Sequence, residues 1–345
     1  EQDGAARAAF ETAIRLDPTN GFAMMRLAAL HHRNNEPDKA LALLDRALAV
    51  DERDKWAWMW KGVVHAETLG NWDEARRLYA RAIAIDPRFD MAHYNIGWTW
   101  MNQKSPDHAM ARRSFERALL INPDYKEAYY ALGYVYGRQD RYEMAKLHLD
   151  RALAIDPNYL TAWKWRGIVN DDRGHYEEAI ADFNRALTLS PRNPELYVRR
   201  ARTYVRLHRD NDAMDDLTFA SEIRPDHALT WRLMGDILRR AGQQEAAIER
   251  YTRAVEADAS DELALAGRAE ARAATGDPDG AAADFEQALA VTTYKPERIL
   301  LRRGQHRERS GHPDEALADY RAARLAEPKH FESCKAEADL LVLRR

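Results

Sequence analysis

The sequence predicts an all-α solenoid, a stack of helix-turn-helix units running through the whole chain. Three observations carry that prediction. Alanine recurs at Ala13, Ala47, Ala82, Ala118, Ala152, Ala186, Ala220, Ala254, Ala288 and Ala323, at intervals of 34, 35, 36, 34, 34, 34, 34, 34 and 35 residues. A large apolar residue stands three positions before each, as Phe10, Leu44, Tyr79, Phe115, Leu149, Phe183, Leu217, Tyr251, Phe285 and Tyr320. Proline recurs at Pro18, Pro87, Pro123, Pro157, Pro191, Pro225 and Pro328, where its missing backbone donor ends each copy.

The elements follow in order. Residues 1–20 hold a lone second helix, Ala5 to Leu16, so residues upstream are expected to complete that copy. Nine full copies fill 21–328, beginning near Gly21, Lys55, Asp90, Lys126, Leu160, Pro194, Ala228, Glu262 and Glu297. Residues 329–345 form a closing helix from Phe331, and 1–345 reads as one domain. Within the copy from Leu160 to Pro191, a 3.6-residue period puts Trp163, Gly167 and Asn170 on one helix face. Ala179, Phe183, Ala186 and Leu187 share a face of the second helix, and Gly174 breaks the two apart. The small alanine lets two helix backbones approach while the neighbouring ring or leucine fills the gap. One extra residue between Gly62 and Gly70, two around Gln103 to His108 and one near Thr292 to Pro296 are expected to alter the local twist.

Composition narrows the function. Hydrophobic residues make up 46% and charged residues 31%, which suits a folded chain. The 56 acidic and 52 basic residues are mixed along the sequence, and a net charge of -4 gives no footprint for nucleic acid. No apolar run reaches the ~18 residues of a membrane span, so a soluble protein without membrane insertion is expected. Cys334, the single cysteine, forms no internal disulfide, which leaves both sides of a bacterial membrane open as compartments.

The repeated slots resemble the tetratricopeptide-repeat family. Tyr129, Leu132, Gly133, Tyr136, Ala145, Leu149, Ala152 and Pro157 fill that family's pattern in one copy, and Trp231, Gly235, Gly242, Ala247, Tyr251 and Ala254 in another. Gly133 and Gly167 occupy the glycine slot, and Ala118, Ala152, Ala186 and Phe183 the structural ladder. The resemblance implies a right-handed superhelix whose first helices line a concave face. On that face stand Met25, Trp56, Met59, Trp60, Tyr94, Trp98, Tyr130, Tyr134, Lys164 and Trp165, giving way to Arg199, Arg202, Arg206, Arg232, Arg239, Arg240 and Arg302. Asp236, Glu270, Arg298 and Arg309 fall on it too. Rings and methionines give adaptable contact area and arginine forks suit carboxylates, so the expected partner is a protein or peptide with apolar and acidic segments. Trp58, Trp163 and Trp231 take a structural slot instead, and ordinary salt bridges along each helix compete for the arginines. Cations before glycine, at Lys61, Arg166 and Arg303, are expected to extend their heads into water.

No catalytic site, metal site or cofactor is expected. Histidines lack metal-ligand spacing, and the adjacent carboxylates Asp171-Asp172 and Asp215-Asp216 read as solvated faces. The function that follows is a protein-interaction scaffold. The rival readings are a regulatory arm of a larger enzyme and a subunit that forms homo-oligomers through the run Leu340, Leu341, Val342 and Leu343.

Overall fold

The computed structural model describes residues 2–343, and the side chains of Gln2 and Leu343 lie outside what is described. Among the described residues it holds twenty α-helices, one π-helical turn and no strand. The chain divides into two compact units, residues 1–173 and 174–345. The first unit contains α1 (Gln2–Leu16), α2 (Gly21–Arg33), α3 (Pro37–Val50), α4 (Lys55–Val63), α5 (Trp72–Ile85), α6 (Asp90–Asn102), α7 (His108–Ile121), α8 (Lys126–Gly137), α9 (Tyr142–Ile155) and α10 (Leu160–Asp172). The second contains α11 (Tyr176–Leu189), α12 (Pro194–Arg206), α13 (Asp210–Ile223), α14 (Ala228–Arg240), α15 (Gln244–Ala257), α16 (Glu262–Ala274), α17 (Pro278–Val291), α18 (Glu297–Arg309), α19 (Pro313–Ala326) and α20 (Phe331–Leu343). The first helix of every full copy starts at the residue the sequence period names.

From Ala47 onward each ladder alanine is at most 2% exposed, and so is the ring or leucine three residues before it. The glycine slot explains the fit. A Cβ on Gly235 would lie 2.7 Å from Tyr251 Cε1, and one on Gly133 would lie 2.6 Å from Leu149 Cγ, so the partner side chain fills the space a methyl would need. The structural tryptophans tie down the turn before their helix. Trp58 Nε1 donates to Glu52 O at 2.8 Å, Trp163 to Pro157 O at 2.9 Å and Trp231 to Pro225 O at 2.7 Å, each six residues upstream.

The extra residues have identifiable destinations. The one after Gly62 is absorbed as a π-helical turn, Val64–Thr68, which continues α4. Those near Gln103 and Thr292 lengthen the loops between α6 and α7 and between α17 and α18. First helices other than α6 close in a left-handed residue, glycine at Gly242 (φ 78) but histidine at His208 (φ 57).

Within each unit the first helices also meet their counterparts in the next copy, as α14 with α16 and α16 with α18, and so form the inner layer. At the C-terminal end Leu340 is buried with Leu317 and Tyr320, whereas Leu341 and Val342 are exposed. The Leu343 side chain, part of the expected apolar run, lies outside the described residues.

The expectation that cations beside glycine reach water needs correction. Lys61 Nζ donates to Asp45 at 2.5 Å and Arg166 to Asp150 at 2.7 Å. Arg303 grips Asp319 through Nε at 3.1 Å and Nη2 at 2.6 Å. Asp216 also leaves the solvated face expected of it, because Arg200 holds it through two bonds at 2.8 and 2.6 Å in a buried position. Burial raises the Asp216 carboxyl above the ordinary aspartate range, with Arg200 opposing that rise.

Candidate partner-binding faces

In the first unit the inner aromatics form one packed layer. Tyr94 and Trp98 are one turn apart on α6, Tyr130 and Tyr134 one turn apart on α8, and Trp165 lies on α10. The Trp98 ring centroid is 5.5 Å from Tyr134 and 6.3 Å from Tyr130, and Tyr134 meets Trp165 edge-on at 4.6 Å. All five are half-buried, so part of each ring is spent on its neighbours and the rest remains open. Desolvation pushes the Tyr94 hydroxyl up to about 12 and shifts Tyr130 upward as well, which keeps both neutral donors near neutral pH.

Three expected members of this face do not join that layer. Met59 is 2% exposed, in a cluster with Val63, Tyr79, Phe89 and Ala92, and presents no open surface. It shares a helix position with Met25, Tyr94 and Tyr130, which stay half-buried, but in this copy the cluster closes over it. Met25 packs half-buried against the core of the first copies. Trp60 lines a separate apolar cavity of about 410 Å³ with Phe10 and Leu30, at the N-terminal end of the unit. The π-helical turn brings Glu67 into a further cavity of about 270 Å³, with Tyr94, Asn95 and Trp98. Lys164 stands half-buried on α10 beside Trp165.

The second unit gathers the arginines. Arg199 pairs with Glu195 along its own helix at 3.0 Å, and with Arg202 it lines a cavity of about 400 Å³. Arg206 is exposed, its guanidinium 5.9 Å from the Tyr176 ring. The larger cavity, about 700 Å³, is walled by α14, α16 and α18 and lined by Arg232, Arg239, Arg240, Arg298, Arg302 and Arg309 with Asp236 and Glu270. Pairing here runs between helices. Arg302 donates from Nε and Nη2 to the two Glu270 oxygens at 2.6 and 2.8 Å, and Arg239 approaches the same carboxylate at 3.1 Å. Burial opposes ionisation of Glu270, yet the arginines outweigh it and hold the carboxyl below the ordinary glutamate range. Arg232 pairs with Asp261 at 2.9 Å and Arg240 with Asp210 at 3.0 Å.

Sequence reasoning missed the link from core to cavity. Tyr251, a fully buried ladder ring, donates its hydroxyl to Asp236 at 2.7 Å and accepts from Arg239 Nε at 3.3 Å. A tyrosine at a ladder slot where most copies carry leucine or phenylalanine was the available signal, one that Tyr79 and Tyr320 share.

Two tetratricopeptide-repeat family models match the sequence, one over residues 33–88, 64–111, 107–159, 130–194, 232–296 and 266–331, the other over 4–59 and 172–237. The chain belongs to the tetratricopeptide-repeat family. A tetratricopeptide-repeat protein from Parabacteroides merdae is similar to 73% of this chain over 98% of its own, at 17% identity and a TM-score of 0.60. Human IFIT1, solved as a dimer with m7Gppp-AAAA, is similar over 99% of this chain and 86% of its own, at 18% identity and a TM-score of 0.59. PilF of Pseudomonas aeruginosa matches 62% of this chain and 97% of its own, at 18% identity and a TM-score of 0.52. These likenesses are likenesses of fold. No curated relative is similar by sequence. Family and fold together support a protein-interaction scaffold. No described helix of this tetratricopeptide-repeat chain is long and apolar enough to cross a membrane, and the described residues hold no cluster of metal-ligand type.

Proposed function

We propose that this tetratricopeptide-repeat chain holds an extended segment of a partner protein on the inner, first-helix faces of its repeats. The observation that carries the reading is the open cavity of about 700 Å³ between α14, α16 and α18, because three successive first helices leave room there for a further chain beside the ion pairs they make with one another. The half-open rings of Tyr94, Trp98, Tyr130, Tyr134 and Trp165 support a second contact area in the first unit, since large rigid side chains give much contact area for little lost freedom. Lys164, Arg199, Arg202, Arg206 and Arg302 are the proposed polar contacts.

Site-specific photo-crosslinking tests it. A crosslinker replaces Trp165 or Arg202 on the inner faces, or Leu120 or Leu147, which are 71% and 59% exposed on second helices. Protein adducts are expected from the inner positions. Adducts of equal yield from the second-helix positions overturn the assignment.

A further inference from the structure

The cavity walled by α14, α16 and α18 carries charge that its own surroundings do not balance. Six arginines face it, against two carboxylates, Asp236 and Glu270. Asp261 and Asp210 approach from outside and pair with Arg232 and Arg240. Four carboxylates against six guanidiniums leave an excess of two positive charges. The deep end is already satisfied, since Glu270 sits in the fork of Arg302 and against Arg239 as a resident carboxylate. The excess belongs to Arg298 and Arg309, near the two ends of α18: among the described residues neither has an ion-pair partner, and both are exposed.

The rest of the lining selects among anions. Its apolar floor is Val205, Leu233, Ile237, Leu263 and Ala274, all aliphatic, and no aromatic ring lines the cavity. Single-stranded nucleic acid and nucleotides are gripped by stacking bases on rings, and that platform is missing from this lining. Arginine forks beside an aliphatic floor match carboxylates carried on a chain that also presents aliphatic side chains.

We infer that this cavity receives a segment of a partner protein in which acidic residues alternate with aliphatic ones, and that Arg298 and Arg309 take its carboxylates. Glu270 is the internal precedent for that contact: it shows how two arginines on different first helices converge on one carboxylate. The inference rests on the scaffold reading above and names the partner's chemistry at one of its sites.

Fluorescence anisotropy on the full chain tests it, using a labelled peptide that alternates glutamate with leucine. A peptide with glutamine in place of glutamate is the control, and a 5′-triphosphorylated tetra-adenylate is the competing probe. The glutamate peptide is expected to bind at least tenfold more tightly than the glutamine peptide, and to weaken as salt screens the charges. Arg298→Ala/Arg309→Ala is expected to lose at least tenfold of that affinity while melting like the parent chain, because neither residue makes an ion pair. Equal binding of the two peptides, or unchanged affinity in the double variant, overturns the inference. Displacement of the peptide by the RNA at lower concentration than by unlabelled peptide overturns it too. If photo-adducts from positions 165 and 202 persist in either case, the scaffold reading stands and only this assignment falls.

Discussion

Arg268 on α16 closes a two-bond fork on Asp284 of α17, Nε to Oδ2 at 2.9 Å and Nη2 to Oδ1 at 2.7 Å, with both side chains nearly removed from solvent. The same sixteen-residue spacing joins Arg200 to Asp216 and Arg303 to Asp319, so three copies of the second unit are bolted helix to helix by an ion pair. Such a pair has lost most of its hydration, and its strength depends on both halves being present. Asp284→Ala is therefore expected to destabilise by about 3–5 kcal/mol, since it strands the buried Arg268 guanidinium and also removes the acceptor of Arg272, whose Nη1 donates to Asp284 at 2.9 Å. Cutting the exposed pair Arg209–Asp212 at Asp212 is expected to leave stability nearly unchanged, because water screens both charges. Urea titrations of the variants check this, and equal losses for the two aspartates would refute it.

The alanine ladder gives a test of packing in both directions. Phe183 is 1% exposed and Ala186 is fully buried, one turn apart on α11. Phe183→Ala is expected to cost about 3–5 kcal/mol through lost burial and the cavity left behind. Ala186→Phe is expected to cost about 1–3 kcal/mol through overpacking, because neighbouring helices leave no room. A melting temperature unchanged in either variant contradicts the register.

Most of the fold was legible because ten copies of one pattern over-determine it. A single helix start is ambiguous from sequence, but Lys55 and Glu297 are fixed by every other copy at a period near 34. The Arg–Asp forks were not legible for the opposite reason. Arginine and aspartate sixteen residues apart look like ordinary surface charges until α16 and α17 fold side by side, and only recurrence of that spacing in several copies betrays it. Met59 failed differently: helix periodicity assigns a face, but whether a side chain emerges from that face depends on what packs over it in that copy. The cavity between α14, α16 and α18 was half legible. Its arginines and Glu270 could be placed on one face, while their pairing across helices required coordinates.

Backbone strain predicts a stabilising change. His208 ends α12 with φ 57, a left-handed conformation in which a Cβ crowds the following carbonyl, and its side chain is exposed. Gly242 and Gly276 occupy the matching position in other copies at φ 78 and φ 83 without that penalty. His208→Gly is expected to stabilise the second unit by about 1 kcal/mol, the relief of strain exceeding the greater freedom glycine gives the unfolded chain. Scanning calorimetry reads it as a raised Tm, and a lowered one would show that the imidazole makes a compensating contact.

Acid should weaken the fold first through its buried imidazoles. Burial depresses the imidazoles of His65, His93, His148, His227 and His306 below the ordinary histidine value. His148 lies flat against the Tyr136 ring at 5.3 Å, in surroundings that favour the neutral ring. The unfolded chain binds a proton at each of these sites near pH 6.5, about the free imidazole value, while the folded chain resists until lower pH. Protons therefore favour unfolding throughout that window, and the stability present above about pH 6.5 declines as pH falls through the depressed folded values. A second decline belongs to the carboxylates. Hydrogen bonds from Lys39 and His31 hold Glu36 at about 2, and those from Lys55 and Lys126 lower Asp86 and Asp156, so their contribution persists until well into acid. The Tm is expected to fall in two stages, and His148→Gln is expected to flatten only the first. A Tm that stays constant from pH 7.5 to 5, a range that spans the free imidazole value of about 6.5, would mean that these rings are solvated in the folded chain.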